Sequence, residues 1–274
     1  MRIGIITGAS SGLGKEFAKQ ISQNTDLQEL WIIARRFENL QAIADELNGK
    51  LKKQLVRPIA LDICGKDGVQ KFKNFLLTEN EIHKTSDSSQ GIEIGLLINN
   101  AGFGTYGPFE ETSVEREMEM IDLNCISLTG ICGEALPFLT KGSVIINTSS
   151  LAAFMPLGNF AVYAASKAYV LNFSIALAAE LKEKGIKVCA LCPGSVSTEF
   201  ANVASNGARK EVKGGISPEK VVSQCIKRAY KGKKTSLYRV KWNLTAFMSR
   251  FVGRYLIAVY TYKFNKRPHN PENK

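Results

Sequence analysis

Short apolar runs recur along the chain, and most are followed by a longer stretch in which apolar positions return every three or four residues. The runs Ile3–Thr7, Leu30–Ala34, Leu55–Leu61, Ile94–Ile98, Ser143–Asn147 and Ile186–Leu191 read as strands, with a last short one at Ser236–Val240. Between them, helical periodicity covers Gly12–Ser22, Phe37–Leu47, Val69–Ile82, Val114–Leu139 and Tyr163–Lys184. Another helix opens at Ser217-Pro218-Glu219, with a Ser cap and Pro in the first turn. Strands alternating with helices predict βαβ units around a parallel sheet. Val144-Ile145-Ile146 and Gly95-Leu96-Leu97-Ile98 are apolar on both faces, as strands covered on both sides are. The expectation is a single doubly wound α/β domain over residues 1–240 and a helical C-terminal extension over 241–274. Two polar segments interrupt the rhythm, a surface loop at Lys84–Gly91 and a Gly- and Lys-containing stretch at Glu199–Gly215.

Composition agrees with a globular domain: 274 residues, 45% hydrophobic and 22% charged, enough to bury a core without disulfides or metal. Six dispersed cysteines fit free thiols in a reducing cytosol. The net charge of +11 is uneven, because residues 209–274 hold 17 basic and 3 acidic residues while the rest of the chain is slightly acidic. A uniformly basic nucleic-acid binder is disfavoured; an anionic partner of the C-terminal segment is not. The first strand starts at Arg2, so no leader is expected, and no uncharged apolar run approaches the ~18 residues that would span a bilayer. A cytoplasmic protein, at most peripheral to a membrane, is expected.

The first strand runs into Thr7-Gly8-Ala9-Ser10-Ser11-Gly12-Leu13-Gly14 and then a helix. Glycines permit a tight turn and close approach of backbone N–H groups to a pyrophosphate, and the helix N-terminus adds partial positive charge. Ser10 and Ser11 add hydroxyl donors, so dinucleotide binding outweighs a mere tight connection. About 20 residues onward an NAD site usually carries a carboxylate for the ribose 2′-hydroxyl. Here stand Arg35 and Arg36, whose guanidinium groups suit a 2′-phosphate. NADP(H) is therefore expected, with Arg35 the first choice and Arg36 the second.

Residues 1 to about 240 resemble the short-chain dehydrogenase/reductase family, a Rossmann-type fold. The resemblance rests on the glycine turn, Leu61-Asp62-Ile63, Asn99-Asn100-Ala101-Gly102, Asn124, Ser150, Tyr163-Ala-Ala-Ser-Lys167, and Pro193-Gly194 with Thr198, all in order. It implies a catalytic set of Ser150, Tyr163, Lys167 and Asn124. Tyr163 and Lys167, four apart, share a helix face. A phenol of pKa about 10 needs a nearby ammonium to work near neutrality. By resemblance Tyr163 gives a proton to a carbonyl oxygen as hydride arrives, Lys167 also bonds the cofactor ribose, and Ser150 holds the substrate oxygen, with Ser149 the weaker candidate. Asn124 would anchor a water relay, or cap a helix distortion, or both. Asn100, Ala101 and Gly102 would flank the adenosine ribose, and Asp62 with Ile63 the adenine. Pro193, Gly194 and Thr198 would shape the nicotinamide pocket, and residues 199–216 the substrate loop. A homodimer or tetramer is implied, through helices Val114–Leu139 and Tyr163–Lys184.

The function so read is an NADP(H)-dependent oxidoreductase interconverting a carbonyl and a secondary alcohol on a small, lipophilic substrate. Its rivals are an NAD(H)-dependent alcohol dehydrogenase and a cofactor-sensing protein without turnover; the intact Ser150, Tyr163 and Lys167 argue against the latter. No metal is expected: Cys189 and Cys192 fall on a core strand, and His83 and His269 have no catalytic company. In the tail, Leu244, Phe247, Met248, Phe251, Val252, Tyr255 and Val259 share one face of a helical wheel, with Arg250 and Arg254 away from it. A lid or docking helix is weighed above contact of residues 241–264 with anionic membrane, and both above nucleic acid.

Overall fold

Alternate residues of the central strands point to opposite faces, and both sets are apolar. Ile6, Ile32, Ile98 and Ile146 bury on one face, and Ile5, Trp31, Leu97 and Ile145 on the other. The computed structural model describes residues 1–84, 91–210, 212 and 214–271, so most of the loop expected at Lys84–Gly91 lies outside the described residues.

The seven strands are β1 (Arg2–Thr7), β2 (Glu29–Ala34), β3 (Val56–Ala60), β4 (Glu93–Asn99), β5 (Leu139–Thr148), β6 (Lys187–Leu191) and β7 (Thr235–Ser236). They form one sheet in the order β3-β2-β1-β4-β5-β6-β7, with every neighbouring pair parallel. Helices α1 (Gly12–Gln23), α2 (Phe37–Leu51) and α8 (Pro218–Tyr230) cover the first face. The second is covered by α3 (Gly65–Ile82), α5 (Leu128–Ala135) and α6 (Ala161–Glu180). Strand order reverses between β1 and β4, and the crevice at the carboxyl ends of such strands is where ligands bind in open α/β sheets.

Three sequence expectations are corrected. The long helix expected over Val114–Leu139 is broken into α4 (Val114–Ile121), a π turn at Asp122–Ser127 and α5, and it ends in a short turn at Leu136–Phe138. Pro137 cannot supply the backbone donor a continuing helix needs, and Leu139 already pairs with Ile94 in the sheet. The last strand is only Thr235–Ser236, and Val240, 85% exposed, instead begins α9 (Val240–Met248). The C-terminal segment is not one helix: α9 and α10 (Arg254–Phe264) are separated around Gly253, which caps α10. Trp242 and Ala246 join the core, whereas Phe251 and Tyr255 of the expected stripe are 70% and 79% exposed. The apolar stripe therefore faces outward, the reverse of a lid that buries it.

Candidate active site

The turn after β1 is shaped by close packing against the end of β4. Gly8 has φ +64°, and a Cβ there would lie 2.7 Å from Ala101 Cα; one on Gly14 would lie 2.2 Å from the Gly8 carbonyl oxygen. Only glycine satisfies both. Buried Thr7 joins the two strands, its Oγ1 accepting from the N–H groups of Asn100 (3.0 Å) and Ala101 (3.1 Å). Asn100 Nδ2 donates to the carbonyls of Thr7 and Gly8, at 3.2 and 3.1 Å. Ser10, Ser11 and Leu13 line the turn, and Thr198 lies against Gly12. The first turn of α1 carries no acid, so the turn's backbone donors and helix terminus remain available to an anion. This cradle, which a Cβ would fill, fits a dinucleotide pyrophosphate.

Asp62 is exposed just beyond the end of β3 and Ile63 is buried beside it. Arg35 and Arg36 are exposed past the end of β2. Of the two, Arg36 reaches the turn, its Nη2 donating to Ser10 Oγ at 3.2 Å and lying 3.9 Å from the Glu199 carboxylate.

Tyr163 and Lys167 project from the buried face of α6. Lys167 Nζ donates to the Thr148 carbonyl at 2.9 Å and sits 5.7 Å from the centre of the Tyr163 ring. Ser150 acts on the Tyr163 phenol, and its Oγ accepts from the Ala152 N–H (3.1 Å) and donates to the Pro193 carbonyl (3.4 Å). Ser149 serves the fold instead, since its Oγ donates to the backbone carbonyl of Lys167 at 2.7 Å and ties α6 to the end of β5. Asn124 lies in the π turn, where Nδ2 donates to Phe103 O and Ser166 Oγ (both 3.0 Å) and Oδ1 accepts from the Phe103 N–H (3.2 Å). A Cβ on Gly102 would meet Asn124 Oδ1 at 2.6 Å and Lys167 Nζ at 3.2 Å. Ser150, Tyr163, Lys167, Asn124 and the Asn100–Gly102 segment thus converge at the sheet's carboxyl edge.

Burial pushes the Tyr163 phenol well above its ordinary value, with the Ser150 side chain pulling the other way. Lys167 is pushed down to about 8, chiefly by burial. Desolvation is the largest influence on the phenol, and the Lys167 ammonium is not among those that lower it.

Several residues at this edge carry no motif signal. Phe160 stacks on Tyr163 (centroids 4.1 Å apart), Tyr106 meets Phe160 edge-on at 4.8 Å, and Phe200 of α7 (Phe200–Ala204) lies 5.4 Å from Tyr163. The Trp242 indole packs on Gly194, where a Cβ would lie 2.4 Å from it. The tail also returns to the site. Gly158 N–H donates to Thr261 Oγ1 (2.9 Å), and Asn159 Nδ2 donates to the Tyr262 carbonyl (3.0 Å). His269, expected to have no catalytic company, has Nε2 2.8 Å from the Glu111 carboxylate. Cys189 and Cys192 are buried in and just after β6.

A profile described as short chain dehydrogenase matches residues 2–208. The chain is 33% identical over 223 residues to the serine 3-dehydrogenase of Agrobacterium fabrum, covering 78% of this chain and 81% of that one. Its fold is similar to that of a short-chain dehydrogenase from Sphingobium yanoikuyae in complex with NADPH (TM-score 0.75, 24% identity, 92% and 94% of the two chains). It is similar also to a short-chain dehydrogenase/reductase from Burkholderia phymatum in complex with NAD (TM-score 0.78, 19% identity, 100% and 98%). With the glycine turn, the doubly wound sheet and the Ser150–Tyr163–Lys167 cluster in place, the chain belongs to the short-chain dehydrogenase family of oxidoreductases.

Proposed function

We propose that the protein is an NADP(H)-dependent reductase that converts a lipophilic ketone to a secondary alcohol. The observation that carries this reading is the Tyr163 phenol, kept neutral by burial close to Ser150 and one helical turn from Lys167. A nicotinamide cofactor supplies the hydride. Tyr163 donates its proton to the carbonyl oxygen, and Ser150 Oγ, already anchored by Ala152 and Pro193, orients that oxygen. Lys167, fixed by Thr148, would stabilise the tyrosinate left behind and bond the cofactor ribose. Asn124 holds the Phe103 backbone beside it. Gly8–Gly14 would hold the pyrophosphate, and Pro193, Gly194 and Thr198 the nicotinamide side. NADP(H) is favoured because the end of β2 presents Arg35 and Arg36 and no carboxylate, with Arg36 already on the turn. Phe160, Phe200 and Tyr106 give the substrate side its apolar wall. A screen of NADPH and NADH oxidation over ketones of graded chain length tests the reading. Faster NADPH oxidation with longer ketones is the expected result; no oxidation with any of them overturns it.

Peripheral contact with anionic membrane belongs to the same reading. Phe247, Phe251, Tyr255, Leu256, Tyr260 and Phe264 are each more than half exposed on α9, α10 and their connection. Lys241, Arg250, Arg254, Lys263 and Lys266 accompany them, and no acid occurs from residue 220 to residue 271. An apolar surface bordered by uncompensated cations suits an anionic lipid interface.

A further inference from the structure

Arg267 lies in the segment after α10, largely out of water. Its guanidinium sits 4.8 Å from the centre of the Phe160 ring and 5.4 Å from that of Tyr106. Phe160 in turn stacks on Tyr163. The position is held from both sides, by Thr261 and Tyr262 on Gly158 and Asn159, and by His269 on Glu111. Beyond these, the Asn270 N–H donates to the Ser205 carbonyl at 3.0 Å. The guanidinium is therefore fixed on Phe160, the ring that stacks on Tyr163.

Its hydrogen bonding is incomplete. Nη1 is buried and has no hydrogen-bond partner among the described residues. Among the described residues, the charged or titratable groups acting on it are Tyr106, Tyr163 and another cation, Arg209; none is a carboxylate. Contact with the two rings accounts for the position of the cation and leaves the N–H groups of Nη1 unused. A buried cation without a counter-charge is costly to keep, and an unmet buried donor calls for a group that completes it. A guanidinium presents its donors as a rigid fork that matches carboxylate and phosphate oxygens.

We propose that Arg267 is a specificity-determining residue that binds an oxyanion, carboxylate or phosphate, carried by the substrate whose carbonyl Tyr163 protonates. The substrate class is then an anionic keto compound, and the tail completes the site. This rests on the reductase reading for the identity of the ligand, and its test is made independent of turnover.

Binding is measured by calorimetry on the full chain saturated with NADP+, which has no hydride to give, so a ketone binds without reacting. The probes are acetoacetate against its methyl ester, for a carboxylate, and acetoacetyl-CoA against acetoacetyl-N-acetylcysteamine, for a phosphate. The anionic member of one pair is expected to bind at least about tenfold more tightly, the scale of a charge-assisted hydrogen bond. Arg267→Met should abolish that preference and leave the neutral member's affinity unchanged, while Arg267→Lys, which keeps the charge, retains part of it. Equal binding in both pairs, or a preference that survives Arg267→Met, overturns the proposal. Charge-selective binding lost in Arg267→Met, without NADPH oxidation in a parallel assay, upholds the anion site and removes the reductase reading.

Discussion

Lys167 Nζ donates a 2.9 Å hydrogen bond to the carbonyl of Thr148, the last residue of β5. The bond fixes the ammonium where burial lowers its pKa to about 8, while the same burial raises Tyr163. Reduction is therefore expected to hold its rate up to about pH 8 and to fall above it as Lys167 loses its proton. The sign for stability is opposite. Folding disfavours the charged form, so the penalty is full below about pH 8 and disappears as pH rises toward the ordinary lysine value. A pH profile of NADPH oxidation, beside thermal melts of the wild type and Lys167→Met, checks both. An activity limb that rises through pH 8 contradicts the assignment.

Cofactor choice follows from the end of β2. The unmodified protein is expected to bind NADPH more tightly than NADH. Arg35→Asp, which removes a guanidinium and adds repulsion, should narrow or reverse the gap. Arg36→Asp should do the same and also lose the bond to Ser10. Removing either guanidinium is expected to weaken NADPH binding about tenfold. Fluorescence titration with both cofactors measures it, and equal affinities in the unmodified protein contradict the reading.

Assembly is expected through α6. Its small residues divide between two faces: Ala164 and Ala178 are buried in the chain's own core, whereas Ala165, Ala176 and Ala179 are exposed, in line with Tyr169. An exposed stripe of small residues lets a second helix approach closely. Light scattering at micromolar concentration should give the mass of a dimer or larger, reduced by Ala165→Glu with Ala176→Glu. A monomeric mass for the unmodified chain rejects the interface.

The C-terminal pair of helices makes a separate prediction. The full chain is expected to sediment with anionic vesicles and not with neutral ones, less as salt rises, since each Lys or Arg near the surface contributes up to ~1 kcal/mol. Phe251→Glu with Leu256→Glu should abolish binding without unfolding the protein, because both side chains are mostly exposed. Equal sedimentation with neutral vesicles would show that charge plays no part.

What could be read in advance was local. The turn after β1 needs glycine because its own backbone bends and packs closely, and the Tyr163–Lys167 spacing fixes a shared helix face wherever α6 lies. A helix distortion at Asn124 was one of the two roles offered for it; the partners that hold it, Phe103 and Ser166, meet Asn124 only in the fold. The outward stripe on α9 and α10 was misassigned because a wheel assumes one unbroken helix, and the turn before Gly253 ends it. Arg267 and His269 gave no sequence signal at all, their partners being Phe160, Tyr106 and Glu111 from distant elements.

The central claim is that Tyr163 protonates a carbonyl oxygen while the cofactor reduces its carbon. It is tested by a single turnover with NADPH carrying deuterium at its transferable position and a long-chain ketone, followed by mass spectrometry of the alcohol. The alcohol should carry one deuterium on the former carbonyl carbon. Tyr163→Phe should form it at least ~10²-fold more slowly while binding NADPH with unchanged affinity. An alcohol without deuterium, or a Tyr163→Phe protein at near-normal rate, would contradict the account.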